Sequence, residues 1–317
     1  LNKETLSTRE YQTSAAMSVF RKQELATKFI GQPGPLFPRR GGVIQAATGG
    51  GKTRIATKLI QLVQMFTVFI VNQKDLQAQT IDEFERMLGC KVGIVGDGKC
   101  DIRDITVATV QTIALAAADN AETPEAAERN ARVREMMCRA GLVIADECHG
   151  TPAQTAQAAI SLAENAAFVV GLSASPWRDD GLGLLIEAAC GPTTYKISAT
   201  DLIKMGFLVQ PHIFVHRLPE PQDAAPDRRD TEQYTKFYDA WVTNDDTRNR
   251  YIANKVIADI IDGHIAIVLV KRVPHGEALQ KLIPHSTFLE GKISAKKRKK
   301  ILEDVKSGET LCLIATS

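Results

Sequence analysis

No two cysteines in this chain are spaced as CxxC. The six present, Cys90, Cys100, Cys138, Cys148, Cys190 and Cys312, are scattered. That fits reduced thiols in an intracellular compartment and argues against a disulfide framework. No stretch approaches the roughly 20 apolar residues of a membrane span, and the start carries no signal-peptide pattern. A soluble, intracellular protein of cytoplasm, nucleoid or nucleus is expected, with no membrane partner. Charge of one sign is also lacking. The formal net charge is +2, so overall charge argues neither for nor against nucleic acid, and any basic footprint must be local. No internal repeat is visible. What remains is an ordinary globular composition, 44% hydrophobic and 24% charged, in 317 residues, enough for two domains with sizeable cores. Leu1 is not an initiator Met, and "LCLIATS" stops as a buried strand would finish, so both ends look cut.

Short apolar runs alternate with amphipathic segments. Candidate strands are 41–47, 67–71, 91–96, 105–110, 141–147 and 168–174. Helical patterns at 54–65, 76–88 and 153–163 separate most of them, and the Ala-rich stretch 114–140 resembles a helical insertion. Near-continuous apolar strands joined by helices predict a parallel sheet covered on both faces. The first α/β domain is assigned to 1–215. The polar, proline-bearing stretch "LPEPQDAAPDRRDTEQ" places a linker at 216–245. A second α/β series occupies 246–317, with strands at 264–270, 286–291 and 310–316 and helices near 275–283 and 295–307.

The sharpest motif is "AATGGGKT" (46–53), between a strand and a helix. Glycines let backbone N–H groups converge on phosphate oxygens, and a helix N-terminus favours anions. Thr48, Gly49, Gly50, Gly51, Lys52 and Thr53 are therefore the candidate ATP-binding set. Lys52 is expected at the β- and γ-phosphates and the Thr53 hydroxyl on Mg²⁺. Downstream, "IADECHG" (144–150) ends an apolar strand in two adjacent acids. Buried acids are costly unless paired or metal-bound. With the phosphate loop, Asp146 is expected to hold Mg²⁺ and Glu147 to orient or deprotonate the attacking water.

The combination of "AATGGGKT", "DECH" and "GLSASPWRDDG" (171–181) resembles the superfamily 2 helicases and translocases. The likeness is nearest to the xeroderma pigmentosum group B type and its archaeal, bacterial and phage relatives, and it extends over nearly the whole chain. It implies tandem RecA-like parallel-sheet domains, the second incomplete in these residues. It makes His149 a catalytic coupling residue beside Lys52, Asp146 and Glu147, and "SAS", with Ser173 and Ser175, the link between ATP state and domain movement. Gln12, in "STREYQ", matches the family's adenine-recognising glutamine. Nucleic-acid contacts are implied for Lys74 in "VNQKDLQAQ", Thr109 and Gln111 in "VATVQT", and Arg178. In the second series they fall on Lys271, Arg272 and Thr316. The family's sixth motif, source of arginine fingers worth roughly 10³–10⁵ in rate, is not in this sequence, so weak ATP binding and poor hydrolysis are expected of these residues alone.

Other conspicuous residues carry less. Cys148 with His149 lacks the four-ligand spacing of a zinc site. Cys90, Cys100 and Cys138 fall one short of an iron–sulfur set. "KKRKK" (296–300) follows Ser294, a candidate N-cap, and divides between a solvated face and a phosphate-facing role. Trp241 and Tyr238, at helical spacing, are expected in the core. The expected function is an ATP- and Mg²⁺-dependent motor on single-stranded, forked or branched DNA in repair, recombination or replication, working in a host cell if the gene is a phage's. The alternatives are a duplex-DNA translocase, an RNA helicase, or a nucleotide-switched binding module.

Overall fold

A computed structural model describes residues 9–20, 40–118, 120–147, 153–174, 189–218, 226–227, 230–291 and 293–316. Contacts divide the chain into two compact units, Leu1–Pro211 and His212–Ser317. Among the described residues, no helix is long and apolar enough to cross a membrane.

The first unit is an eight-stranded sheet. Its strands are β1 (Arg40–Ala46), β2 (Thr67–Val71), β3 (Gly93–Gly96), β4 (Lys99–Asp101), β5 (Ile105–Thr109), β6 (Leu142–Asp146), β7 (Phe168–Ser173) and β8 (Thr193–Ile197). They lie in the order β4-β3-β5-β2-β6-β7-β1-β8. Every pairing is parallel except the β3–β4 hairpin. Period-2 alternation splits the central strands between two cores. Ile44, Phe69, Ile144 and Val170 face α1 (Glu10–Ser18), α2 (Lys52–Val63) and α3 (Lys74–Leu88). Val43, Val68, Val143 and Val169 face α4 (Val110–Ala118), α5 (Pro124–Arg139) and α6 (Ala153–Ser161). Phe69 meets Phe84 edge-on at 5.0 Å between centroids, a favoured aromatic geometry. A short helix, α7 (Ala199–Lys204), follows β8.

Two strands, β4 and β8, lie outside the expected set. Both are at sheet edges, where one side is solvated and the apolar run that marks a buried strand is not needed. The hairpin signal was the dipeptide Asp97-Gly98, whose residues take φ +50° and +75°. Both central residues of a two-residue I′ turn require φ > 0, which Asp-Gly tolerates.

In the second unit three parallel strands, β9 (Ala266–Val270), β10 (Ser286–Leu289) and β11 (Cys312–Thr316), lie in the order β10-β11-β9. Helices α8 (Thr231–Tyr238), α9 (Asp246–Ile261), α10 (Val273–Leu282) and α11 (Ala295–Ser307) accompany them. The Ser294 hydroxyl caps α11 by accepting from the Lys297 amide. Within the stretch 216–245, residues 231–243 are helical. The Asp230 carboxylate caps α8 by accepting from the Gln233 amide at 3.1 Å. A π-helical turn, Asp239–Thr243, follows directly. Asp239 pairs with Arg272 at 3.0 Å, and Asn249 donates to the Thr243 carbonyl at 2.9 Å. This segment therefore belongs to the second unit. Tyr238 and Trp241 are half-buried rather than core.

Candidate ATP site and nucleic-acid face

The candidate residues of the first unit gather at the carboxyl ends of its strands. The phosphate loop follows β1, Asn72 follows β2, Thr109 ends β5, Asp146 ends β6 and Ser173 ends β7. Open α/β sheets bind ligands at that edge. Strand β7 separates the loop strand β1 from the acid strand β6, yet side chains bridge the gap. Lys52 Nζ, in the first turn of α2, forms an ion pair with Glu147 Oε1, both side chains being largely buried at 14% and 33% exposed.

The loop's backbone explains its glycines. Gly49 and Gly51 take φ +79° and +73°, a left-handed region costly for other residues. A Cβ on Gly51 would lie 2.4 Å from Gln12 Nε2, and one on Gly50 would lie 2.8 Å from the Ala47 carbonyl oxygen. Helix α2 begins at Gly51 with no side-chain cap and no acid in its first turn. Its leading N–H groups and positive dipole end are thus directed at whatever the loop encloses.

Gln12 is 2% exposed. Its side-chain oxygen accepts from the Arg9 amide at 3.1 Å, and its NH2 donates to the Tyr11 hydroxyl at 3.3 Å and the Gly50 carbonyl at 3.5 Å. The Tyr11 hydroxyl donates to the same carbonyl at 2.9 Å. The Arg9 guanidinium lies 4.1 Å from the Phe207 ring centroid, and Tyr11 meets that ring at 5.4 Å. Phe207, just past α7, is brought to the loop by tertiary folding across almost the whole unit, which no local sequence signal reported.

Glu147 stands at φ +46°. A non-glycine residue held there carries roughly 1–3 kcal/mol of strain and persists where its surroundings fix it. One fixing contact is plain: Asn72 Nδ2 donates to the Glu147 carbonyl at 3.1 Å. The Asn72 carbonyl in turn accepts from Gln111 Nε2 at 2.9 Å. Beside these residues lies a cavity of about 420 Å³, lined by Asn72, Lys74, Asp97, Lys99, Gln111 and Arg129 among others. Thr109, another lining residue, shares a hydrogen bond with Thr112 at 2.8 Å. The buried Gln77 ties β3 to β5, its NH2 donating to the Val95 and Val107 carbonyls at 2.9 Å each. Lys74 pairs with Asp97 at the hairpin tip, and that ion pair holds the Asp97 carboxyl below the usual carboxylate range.

The sequence expectations separate accordingly. Lys52, Thr53, Gln12, Thr48 and Gly49–Gly51 converge on one loop, with Asp146 and Glu147 opposite, while Lys74, Thr109 and Gln111 share the cavity. Ser173 is buried at the end of β7, its Cα in register with Gln45. His149, Ser175 and Arg178 lie outside the described residues. In the second unit Lys271 and Arg272 directly follow β9, and Thr316 pairs in register with Val270, so all three sit at the carboxyl edge of that sheet. Asn72 and Asp97 were not anticipated, because their roles depend on partners distant in sequence.

The donors fit a hard cation and a nucleotide triphosphate: the Thr53 hydroxyl and the Asp146 carboxylate are oxygen ligands of the kind Mg²⁺ takes, and the uncapped start of α2 suits a phosphate. The chain is 30% identical over 51% of its length to DNA 3'-5' translocase XPB2 of Sulfurisphaera tokodaii, of which it covers 33%. The crystal structure of the DUF1998 helicase MrfA bound to DNA and AMPPNP matches 97% of this chain and 41% of that one, at a TM-score of 0.61 and 12% identity. The Hef helicase domain of Pyrococcus furiosus matches 87% of this chain and 82% of that one, at 0.51 and 15%. The two structures agree with this chain in fold. The chain spans 33–43% of the length of the curated relatives it matches. The family described as "Type III restriction enzyme, res subunit" matches residues 5–178, more than half of the chain, which therefore belongs to that family and bears out the superfamily 2 helicase resemblance.

Proposed function

We propose that this chain is the ATP-hydrolysing motor part of a DNA helicase or translocase, with its ATP site on the first unit and nucleic-acid contacts on both. The observation that carries this reading is the Lys52–Glu147 ion pair at the mouth of the uncapped helix α2. A lysine held by the acid that follows β6 is poised to exchange one anion for another. On this reading the amides of 48–51 and the start of α2 cradle the β- and γ-phosphates. Lys52 transfers to them, and the Glu147 carboxylate is released to orient water and accept its proton. Thr53 and Asp146 are the residues that would hold Mg²⁺, which when bound neutralises charge developing on the phosphates. Gln12 exchanges its bond to the Gly50 carbonyl for the adenine edge, beside the stacked Arg9–Phe207 pair. Ser173, Ser175 and His149 transmit the nucleotide state.

Lys74, Thr109, Gln111, Arg178, Lys271, Arg272 and Thr316 are assigned to nucleic-acid contacts, chiefly phosphates. Such contacts give little sequence preference and strong salt dependence. The naming of XPB2 as a DNA translocase supports DNA over RNA, and a role in repair, recombination or replication rests on the same likeness. We assign 1–215 and 246–317 to successive RecA-like domains, the second in part.

ATP turnover of the full-length protein, measured with single-stranded, duplex and forked DNA and with RNA, tests the reading. Stimulation by DNA, with displacement of a strand from a fork, is expected. Duplex stimulation without displacement would select translocation alone, and stimulation by none would leave a nucleotide switch.

A further inference from the structure

We propose that Asn72 is the positioning residue through which nucleic acid in the 420 Å³ cavity and nucleotide at the phosphate loop influence one another. This rests on the motor reading of both sites. Two hydrogen bonds carry it: Gln111 Nε2 to the Asn72 carbonyl at 2.9 Å, and Asn72 Nδ2 to the Glu147 carbonyl at 3.1 Å. At one end, Gln111 is exposed in the first turn of α4 and lines the cavity with Asn72, Lys74, Lys99 and Arg129. Three cations, one of them paired with the lining Asp97, and several amides suit a phosphate–sugar backbone. At the other end, the Glu147 carboxylate pairs with Lys52.

The link is physical because Glu147 is not at rest. Its φ of +46° is a conformation that needs external restraint, and Asn72 supplies one at the carbonyl. A strand that engages the Gln111 amide, or displaces Asn72 from the cavity wall, alters that restraint and so the aim of the carboxylate one residue's backbone away. The same bond works in reverse: nucleotide that withdraws Lys52 from Glu147 changes how firmly Asn72 and Gln111 are held. Coupling of two binding sites is necessarily reciprocal.

The test measures binding rather than turnover. A labelled single-stranded DNA oligonucleotide is titrated with the full-length protein, with and without a non-hydrolysable ATP analogue. The wild type is expected to change affinity by at least about fivefold between the two conditions, the lower end of typical coupling. Asn72→Asp keeps the side-chain size but removes the donor. It is expected to bring the ratio to about one, with nucleotide-free affinity lowered by the charge added to the cavity wall, while a melting temperature near that of the wild type separates this from loss of structure. Gln111→Ala, at an exposed position, breaks the other bond and should also collapse the ratio, which decides the matter if Asn72→Asp fails to fold. Coupling retained at the wild-type ratio in the folded variants overturns the Asn72 relay alone. A wild type that binds no nucleic acid, or binds it without regard to nucleotide, overturns the motor reading and the relay with it.

Discussion

On the proposed reading Lys52 serves two anions in turn, Glu147 and phosphate, and that sets what its removal does in the full-length protein. Lys52→Ala takes the cation from the bound phosphates and from Glu147 together. Loss of one preorganised charge at such a site costs about 10²–10³ in rate, so turnover should fall at least about 100-fold in a steady-state ATPase assay. Gly51 makes a sharper steric case. Gly51→Ala places a methyl 2.4 Å from Gln12 Nε2 at φ +73°. A left-handed L-residue alone costs about 1–2 kcal/mol. Weakened binding of a fluorescent ATP analogue, with a lower melting temperature, is the expected outcome. These residues were legible in the sequence, since glycines spaced before Lys-Thr have few other uses between a strand and a helix. The Asn72–Glu147 bond was not, because it joins residues 75 apart and appears only when β2 and β6 become neighbours.

At the scale of elements, the β3–β4 hairpin and the α9–α10 pair each hold a charge relation that can be tested. Asp97 at the hairpin tip occupies Lys74. Asp97→Asn keeps a residue type tolerant of the left-handed turn and frees the lysine. Exposed pairs are worth about 0.2–1 kcal/mol, so nucleic-acid affinity at low salt should rise by up to about fivefold.

In the second unit His275 is 5% exposed, and Nε2 meets Asn249 Oδ1 at 2.9 Å. Asn249 already donates through Nδ2 to Thr243, so His275 donates from Nε2 and its Nδ1 carries no proton. Nδ1 is buried without a hydrogen-bond partner. Burial, then the nearby Arg248 charge, hold the imidazole pKa below its ordinary value. The unfolded chain therefore takes up a proton first, near pH 6.5. Stability is full above that pH and is lost as pH falls through it, by up to about 1.4 kcal/mol per unit while the two states differ by one proton. Urea melts of His275→Gln, which retains a donor for Asn249, should show a flatter dependence between pH 7 and 5.5 than the wild type. Edge strands were what sequence reading missed at this scale. β4 has three residues and β8 alternates with polar ones, so neither offers the apolar run that marked β2 or β7.

Across the whole molecule, alternation of apolar runs with amphipathic helices was enough to foresee two parallel α/β units. The polar stretch read as linker runs to Gln233, and the helical residues after it are held to the second unit by Asp239–Arg272 and Asn249–Thr243. Polar residues can build an element when their partners arrive from elsewhere in the fold, and sequence alone does not name those partners. The account of function depends in the end on Glu147 acting on water while Lys52 and the loop hold phosphate. The most direct measurement is ATP turnover of Glu147→Gln, with and without single-stranded DNA, beside a nucleotide-binding titration. The prediction is nucleotide affinity near that of the wild type with turnover and its DNA stimulation abolished, and near-normal turnover in that variant would contradict it.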